Sequence, residues 1–193
     1  MKKRILITLV VLLFVFSFAI NLQAIPVQWP VEDGGNGHWY EVISMDANWD
    51  QAKVSAETMS YLGVNGYLAT MTTSKENIFV ATLLGTTPHH LWIGGMQPDG
   101  SPEPDGNWQW ITGEPWIYSN WWTGEPSNSY SEGENALLMW AQIPGYPNKV
   151  GTWNDEQNTT IVTGDMGYIV EYAPEPATIL LLTLGGMVFR KRK

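Results

Sequence analysis

The sequence predicts a single α+β domain of about 150 residues, and three observations carry this prediction. Apolar residues recur at helical spacing twice in the N-terminal half, around residues 49–59 and 76–84. Short runs of β-branched and aromatic residues precede the first helix and dominate after residue 90. A long segment rich in Gly, Pro, Asp, Asn and Trp interrupts the later strands. Helices early and strands mostly late, with a first and a last strand able to pair, are typical of an α+β domain.

The N-terminal 24 residues are set aside because they have the pattern of a secretory signal peptide. A basic start at residues 2–4 precedes an apolar run over residues 5–20, and Leu22-Gln23-Ala24 closes the segment with a small residue. We therefore expect export and cleavage after Ala24. Residues 25–36 are predicted to be a linker, and residues 37–173 to form the domain.

The C-terminal residues 174–193 have a second targeting pattern. Pro174-Glu175-Pro176 is followed by an apolar stretch over residues 177–189 and by a basic end, Arg190 to Lys193. A helix of this length rises about 20 Å, less than the roughly 30 Å hydrocarbon core, so we expect transient membrane contact with the basic end inside. This order of parts resembles the PEP-CTERM sorting signal of bacteria, which implies recognition by an exosortase, a membrane transpeptidase. An ordinary C-terminal anchor is the alternative. After tail processing, the expected location is the cell surface or the extracellular space.

The charge of the expected mature domain excludes some partners and favours others. Residues 25–173 keep only Lys53, Lys75 and Lys149 against eighteen acids, a net charge of −15. Nucleic acid and anionic membrane are therefore excluded as partners, whereas a divalent cation would complement the charge. The chain has no cysteine, which excludes disulfides and thiolate metal sites and leaves stability to packing, with eleven tryptophans available.

The elements before residue 96 can be assigned from their local patterns. A glycine-rich turn at residues 34–37 leads into a strand over residues 38–43. Asn48 is expected to cap a first helix that ends near Leu62-Gly63. The sequence Thr73-Ser74-Lys75-Glu76 fits a capping box that begins a second helix. Residues 91–95 then read as a buried strand.

The second half predicts one long loop and three short strands. Residues 96–131 lack periodicity, and a loop of this length in a compact domain is normally functional. Strands are predicted over residues 136–140, 151–155 and 167–172, and the last of them is expected to pair with the first strand.

Six oxygen-bearing side chains in and after this loop suggest a metal site. Calcium prefers carboxylate, amide and hydroxyl oxygens, so this chemistry suits calcium better than zinc or copper. The donors are split between two segments and form a site only if the fold brings residues 125–134 beside residues 154–155. A solvated acidic surface is the alternative interpretation. The candidate ligands are Glu125, Ser127, Asn128, Glu134, Asn154 and Asp155.

An ordered series of motifs resembles the C-type lectin-like domain over residues 37–172. The resemblance implies a C-type lectin-like fold, with two helices, small antiparallel sheets and a long loop region, here without disulfides. The motifs, in the family's order, are Trp39-Tyr40, the Trp49 helix, residues 66–70, Trp92-Ile93-Gly94-Gly95, Asn120-Trp121, residues 124–128, Glu134-Asn135, Trp153-Asn154-Asp155 and residues 168–171.

The resemblance implies a calcium-dependent sugar site. In that family a Glu-Pro-Asn loop, a downstream glutamate and a Trp-Asn-Asp strand bind calcium, and two adjacent sugar hydroxyls complete the coordination. A cis peptide before Pro126 is implied as well, and an acid rather than glutamine at the first loop position is similar to the mannose and glucose type. The implied sugar-binding residues are Glu125, Asn128, Glu134, Asn154 and Asp155, with Trp122 nearby.

Two departures from the family pattern are present. Ser127 stands where the pattern has asparagine, and Asn128 replaces it only if the loop shifts by one residue. Apolar residues, Met59, Ala136 and Val170, stand where the family commonly has cysteines, and we expect them to face the core.

Aromatic and histidine residues complete the prediction. The tryptophans at positions 39, 49, 92 and 110 are expected in the core. Trp121 and Trp122 are adjacent, so on a strand they would point to opposite faces, with one able to stack on a sugar. The three histidines, at positions 38, 89 and 90, show no metal-binding pattern, because the pair at 89–90 has no third partner at a recognisable spacing.

We therefore predict an exported, calcium-dependent carbohydrate-binding module that recognises extracellular polysaccharide. The alternative is a structural or protein-binding matrix domain in which calcium, if bound, only stabilises the long loop. Catalysis is not predicted: Glu125 and Glu134 resemble an acid and base pair, but no nucleophile or activated histidine accompanies them.

Overall fold

The computed structural model of the protein describes residues 25–130 and 133–174. Two α-helices occur in these residues, α1 (Trp49–Thr58) and α2 (Ser74–Ala81), with 3₁₀ turns at Val31–Asp33 and Pro147–Lys149. The strands are β1 (Val27–Gln28), β2 (Trp39–Ser44), β3 (Ser60–Tyr61), β4 (Val64–Asn65), β5 (Tyr67–Leu68), β6 (His90–Met96), β7 (Gln109–Trp110), β8 (Ala136–Trp140), β9 (Trp153–Glu156) and β10 (Met166–Tyr172).

Eight of the described strands form one mixed sheet in the order β1-β2-β10-β6-β8-β9, with β5 added beside β10 and β7 beside β6. Strand β2 pairs antiparallel with β10 from Ser44 opposite Gly167 to Trp39 opposite Tyr172. Strand β10 lies parallel to β6, while β8 pairs antiparallel with both β6 and β9. The predicted α+β class and the pairing of first and last strands are confirmed. Because β2 and β10 are neighbours, the two ends of the domain lie together.

Helix α1 begins where the sequence predicts and ends earlier. Asn48 caps it by accepting a hydrogen bond from the Gln51 backbone N at 2.9 Å, and the Gln51 side chain accepts in return from the Asn48 N. The helix ends at Thr58 instead of near Gly63, because β3 and β4 form a hairpin whose turn is Leu62-Gly63. Both turn residues have positive φ, 51° and 82°, which a helix cannot contain.

Helix α2 has half of the predicted capping box. Thr73 caps the helix by accepting from the Glu76 backbone N at 3.2 Å. The Glu76 side chain turns inward and accepts from Thr72 and from the Tyr40 hydroxyl. The glutamate is therefore part of the interior rather than of the cap.

Alternate residues of the central strands build two cores on the two faces of the sheet. One core contains Leu91 and Ile93 of β6 with aromatic residues of the long loop. The other core contains Trp92 of β6 and the buried face of α1, including Trp49. Tryptophan N–H groups link the layers, since the Trp49 Nε1 donates to the Ile93 carbonyl at 2.9 Å and the Trp92 Nε1 donates to the Ala47 carbonyl at 2.8 Å.

The expected core residues are placed as predicted, with one exception. Trp49, Trp92 and Trp110 are buried, whereas Trp39 is half-buried against the ring of Tyr61. At the three family cysteine positions, Ala136 and Val170 are buried in the core beside α1, and Met59 packs against it. Apolar side chains therefore fill the core positions that cysteines commonly occupy in the family.

The segment 25–36, predicted to be a linker, contains β1 and the first 3₁₀ turn. Val27 lies opposite Tyr40 in the sheet, and the Trp29 ring stacks on Phe79 of α2 at 5.7 Å. Residues 1–24 and 175–193 lie outside the described residues, and with them the predicted signal peptide, Glu175, Pro176 and the apolar stretch 177–189. No helix within residues 25–130 and 133–174 is long and apolar enough to cross a membrane.

Candidate functional site

The fold brings the two donor segments together as the calcium hypothesis requires. Trp153 of β9 donates its backbone N–H to the Asn120 carbonyl at 2.8 Å, and its carbonyl accepts from the Trp122 N–H at 2.9 Å. These bonds place the start of the loop 120–134 alongside β9. The residues that follow, Asn154 and Asp155, are held in register against β8.

Asp155 fixes the loop through its carboxylate. The side chain is fully buried, and both oxygens accept from the Ser127 backbone N, at 2.9 and 3.0 Å. One of them also accepts from the Asn128 backbone N at 2.8 Å. Asp155 therefore anchors the loop through hydrogen bonds from two successive backbone N–H groups.

Glu134 closes the other side of the same loop. It is 3% exposed, and its Oε2 accepts from the Ser129 backbone N and lies 3.4 Å from the Ser127 hydroxyl. Its own backbone N donates to the Asn128 side-chain oxygen at 3.1 Å. The Ser127 hydroxyl therefore lies among the acids, while the Asn128 amide oxygen is occupied by the backbone.

Glu125 contributes a buried carboxylate oxygen with no partner. The peptide between Glu125 and Pro126 is cis, as predicted. The Oε2 of Glu125 is buried and has no hydrogen-bond partner within residues 25–130 and 133–174. Burial raises the pKa of Glu125, a hydrogen bond from Ser127 opposes this, and the charge of Asp155 adds to it.

The acids accumulate negative charge that the described part of the loop does not neutralise. The pKa of Glu134 is raised to about 7, first by burial and then by the charges of Asp155, Glu156 and Glu125, against the Ser129 N–H, which lowers it. Glu103, earlier in the long loop, also has a raised pKa, because of burial and then the charge of Asp155. Glu103 was not predicted as a member of this acidic group, since it lies far from the other donors along the chain.

Lys149 is the positive group that the fold brings to this region. Its ammonium lies 4.0 Å from the centre of the Trp140 ring and 5.4 Å from that of Trp122. The same charge lowers the pKa of Glu125. Lys149 lies far from the loop along the chain, so the sequence did not predict this contact. Its single positive charge offsets only part of the negative charge of the acids in the loop.

The remaining predicted site residues have distinct environments. Trp121 packs into a cluster of tryptophans, with its ring 5.1 Å from that of Trp108, whereas Trp122 is half-buried beside Lys149. The Asn154 amide donates to the Asp155 carbonyl. The two tryptophans thus have different surroundings, as expected for adjacent residues of an extended segment.

The donor chemistry of the loop fits calcium. Carboxylate oxygens of Glu125, Glu134 and Asp155 lie in one region with the Ser127 hydroxyl, and one buried carboxylate oxygen lacks a donor. Calcium takes six to eight such oxygen ligands, whereas zinc favours nitrogen and sulfur. A divalent cation bound among these acids would reduce the repulsion between their carboxylates.

A second buried acidic group was missed by sequence reasoning. His38, Glu76 and Glu171 bring their ligand atoms within 4.8 Å of one another. The His38 Nδ1 lies 2.5 Å from a Glu171 oxygen, and the Tyr40 hydroxyl donates to Glu76 at 2.6 Å. The other oxygens of both acids accept from backbone N–H groups, including that of Thr70 at 2.9 Å. We interpret this group as a hydrogen-bonded strut between β2, β10 and α2.

All three histidines face acidic partners. His38 pairs with the buried Glu171, a contact that the sequence pattern did not predict. A glutamate inside the apolar run Tyr168–Tyr172 was the available signal. His89 and His90 both face Asp165, at 2.8 and 3.2 Å, and no zinc-type group forms around them in the part of the chain described.

Comparison with known proteins identifies the family. The model of the lectin C-type domain matches residues 45–162, more than half of the chain. The chain belongs to the C-type lectin domain family. This C-type lectin domain is 35% identical to halomucin of Haloquadratum walsbyi (strain DSM 16790 / HBSQ001) over 168 residues, which cover 79% of the chain and 2% of halomucin. It is 29% identical to lithostathine of Rattus norvegicus over 97 residues, 49% of the chain and 54% of lithostathine.

A solved structure supports the fold independently. The cow C-type carbohydrate-recognition domain of CD23, crystallised in the presence of GlcNAc2Man3 oligosaccharide, superposes with a TM-score of 0.54 at 24% identity, covering 69% of this chain and 86% of that one. The chain spans about half of lithostathine and a small part of halomucin. The lectin C-type family is generally a binding fold, its domains typically bind calcium, and nothing in the described residues of this one points to catalysis.

Proposed function

We propose that this C-type lectin domain binds carbohydrate through a calcium ion held by the loop 125–134 and strand β9. The observation that carries the proposal is the partnerless, buried Oε2 of Glu125 beside Glu134 and Asp155. Burial and like charges raise the pKa of Glu125 and of Glu134, and a divalent cation bound between them would stabilise their ionised forms. The bound ion would complete its coordination with two neighbouring hydroxyls of a sugar.

We assign the ion to Glu125, Ser127, Glu134, Asn154 and Asp155. Ser127 is preferred to Asn128 because its hydroxyl lies 3.4 Å from Glu134 and interacts with Glu125, whereas the Asn128 oxygen accepts from the Glu134 backbone. A serine hydroxyl is a weaker ligand than an amide oxygen and gives a sugar no amide donor. We therefore expect weaker sugar binding than an asparagine would give, with Trp122 and Lys149 at the rim of the site.

A second function is favoured by the way Asp155 is used. Both its oxygens already hold backbone N–H groups of the loop, so calcium would serve first to stiffen the loop. A structural or protein-binding domain of an extracellular matrix requires only this role. Under this alternative, calcium raises the melting temperature and no saccharide changes calcium affinity.

The test is calorimetric titration of calcium followed by a glycan array of extracellular polysaccharides, each repeated in excess EDTA. Glu125→Gln removes the charge of the partnerless acid with little change of shape, and Glu32→Gln, an exposed glutamate of the first 3₁₀ turn, is the control. We expect calcium and glycan binding to be lost together in Glu125→Gln and kept in Glu32→Gln. Glycan binding that survives EDTA would overturn the calcium-bridged mechanism, and calcium binding without any glycan would select the structural alternative.

We also propose that the protein is exported and sorted as its two ends indicate. The signal peptide over residues 1–24 and the PEP-CTERM pattern from Pro174 onward support export, transient membrane contact through 177–189 and processing by an exosortase. Intact-mass and terminal sequencing of protein recovered from the producing cell test this. A chain that retains residues 1–24 or 177–193 at its final location contradicts it.

A further inference from the structure

A pocket of about 400 Å³ lies where β1, β2 and the β3–β4 hairpin meet, and it shares no residue with the loop 125–134. Its wall is mainly apolar and aromatic, with one acid and the exposed Ser60. The lining includes Ile25, Pro26, Glu41, Met59, Tyr61 and Tyr172. The pocket therefore presents a single carboxylate in a mainly hydrophobic setting.

Glu41 is a buried acid that is only half satisfied. It is 4% exposed, and its Oε2 accepts from the Tyr172 hydroxyl at 2.8 Å. Its Oε1 is buried and has no hydrogen-bond partner in the described part of the chain. Burial raises the pKa of Glu41, while the bond from Tyr172 lowers it. A buried carboxylate with one neutral partner is costly unless a cation joins it.

The groups that the structure places beside Glu41 in the described residues carry no positive charge. Tyr172 donates to it, the charge of Glu41 raises the pKa of Tyr168, and Tyr61 lines the same pocket. No lysine, arginine or histidine lines the pocket among the described residues. A cation that pairs with Glu41 is therefore a group other than a lysine, arginine or histidine side chain of the lining.

The start of the expected mature chain lies at this pocket. Val27 pairs with Tyr40 and Gln28 with Trp39, so the next step of the same antiparallel register brings Pro26 opposite Glu41. Pro26 has no backbone N–H, which makes the nitrogen of Ile25 the next backbone donor along the chain. Ile25 itself lines the pocket. Cleavage after Ala24 turns that nitrogen into an α-amino group, which is an ammonium ion at neutral pH.

We propose that the α-ammonium group of Ile25, released by cleavage after Ala24, binds the carboxylate of Glu41 in this pocket. The proposal rests on the proposed export of the protein and is independent of the sugar site. The uncleaved precursor has an amide at this position and leaves Glu41 without a cation. Removal of the signal peptide thus fastens β1 to the sheet edge and stabilises the domain only after export.

The first test is a thermal unfolding cycle at pH 7 on the processed chain, residues 25–193, in detergent. Chains with a free Ile25 amine, prepared with a protease that leaves no extra residue, are compared with chains acetylated at that amine. Each form is made with Glu41 intact and with Glu41→Gln, which keeps the shape and the Tyr172 contact. We expect acetylation to lower the melting temperature by about 3–8 °C with Glu41 intact and by much less in Glu41→Gln. Equal shifts in both backgrounds, or no shift at all, overturn the proposal.

The second test measures the amine itself. Reductive ¹³C-methylation gives an NMR signal that reports the titration of the α-amino group of Ile25. We expect the pKa of this amino group to lie about 1 or more above the ordinary 7.7–8.0. In Glu41→Gln this pKa should return to the ordinary range, whereas in the Glu32→Gln control it should stay raised. An ordinary pKa for Ile25 with Glu41 intact refutes the pairing. N-terminal sequencing of exported protein that begins elsewhere also refutes it. Calcium titration of Glu41→Gln is expected to be unchanged, so failure here and failure of the calcium site are distinguishable.

Discussion

Replacing Glu134 by glutamine should make the calcium-free domain more stable at pH 8 and remove its response to calcium. The pKa of Glu134 rises from 4.5 to about 7 on folding, so the folded state favours the protonated form. Its contribution to the free energy of unfolding is therefore fully present below pH 4.5 and is lost as the pH rises through about 7. At 1.36 kcal/mol per pH unit, the loss is about 3 kcal/mol.

Glu134→Gln keeps an oxygen for the Ser129 backbone N and carries no charge. In EDTA at pH 8 we expect its melting temperature to exceed that of the wild type by up to about 6–12 °C, and the two to converge near pH 4.5. Saturating calcium, at about a hundred times its dissociation constant, should add about 2.7 kcal/mol to the wild type and nothing to the variant. The difference in stability between Glu134→Gln and the wild type therefore becomes smaller, or changes sign, when calcium is added.

The assay is thermal unfolding followed by circular dichroism at four pH values between 4.5 and 8, with EDTA or calcium. Glu32→Gln, in the exposed 3₁₀ turn, controls for the loss of one surface charge. A variant no more stable than the wild type in EDTA at pH 8 would refute the electrostatic reasoning. A variant that still gains stability from calcium would refute the assignment of Glu134 as a ligand.

Three further predictions concern single side chains that hold the domain together. Asp155→Asn places an amide against the loop N–H groups, so the melting temperature in EDTA should fall by the equivalent of about 2–3 kcal/mol, and limited proteolysis should cut the loop 120–134 faster. Trp153→Phe removes the bond from the Nε1 to Asn77, 2.8 Å long, and part of the tryptophan packing, for a loss of about 2–4 kcal/mol in denaturant unfolding. For His38, burial lowers the pKa, but the bond and the charge of Glu171 outweigh it and raise the pKa above 6.5. Its stabilising effect is thus full below pH 6.5 and lost as the pH rises through the folded value, so His38→Gln should destabilise the domain more at pH 6 than at pH 9, and an effect independent of pH would contradict this.

The elements that local patterns specify were predictable. Asn48 and Thr73 start the helices as their types require, and the cis peptide at Pro126 matches the family resemblance. The convergence of Glu125 on Asp155 depended on that resemblance, because the separation of the two segments along the chain carries no information about distance. In the fold, the pairing of β9 with β8 and with the loop brings Glu125 close to Asp155.

The features that sequence reasoning missed are long-range and polar. The end of α1 was placed too late because only the hairpin with Leu62 at positive φ makes the chain turn there. Glu76 was assigned to a cap, although Tyr40, 36 residues earlier, draws it inward. Lys149 was not linked to Trp122, since no periodicity joins them. Each of these contacts exists only once the sheet has formed.

The tryptophan cluster makes the domain its own optical probe. The rings of Trp108, Trp110, Trp116, Trp121 and Trp153 lie with centroids 4.5 to 6.3 Å apart. Three of them belong to the long loop, Trp110 belongs to β7 and Trp153 belongs to β9. Indoles this close couple their electronic transitions, so the near-ultraviolet circular dichroism spectrum should carry an intense signature of their mutual orientation. The docking of the loop on the sheet can therefore be followed in real time, without a label, whenever an ion, a sugar or a partner arrives.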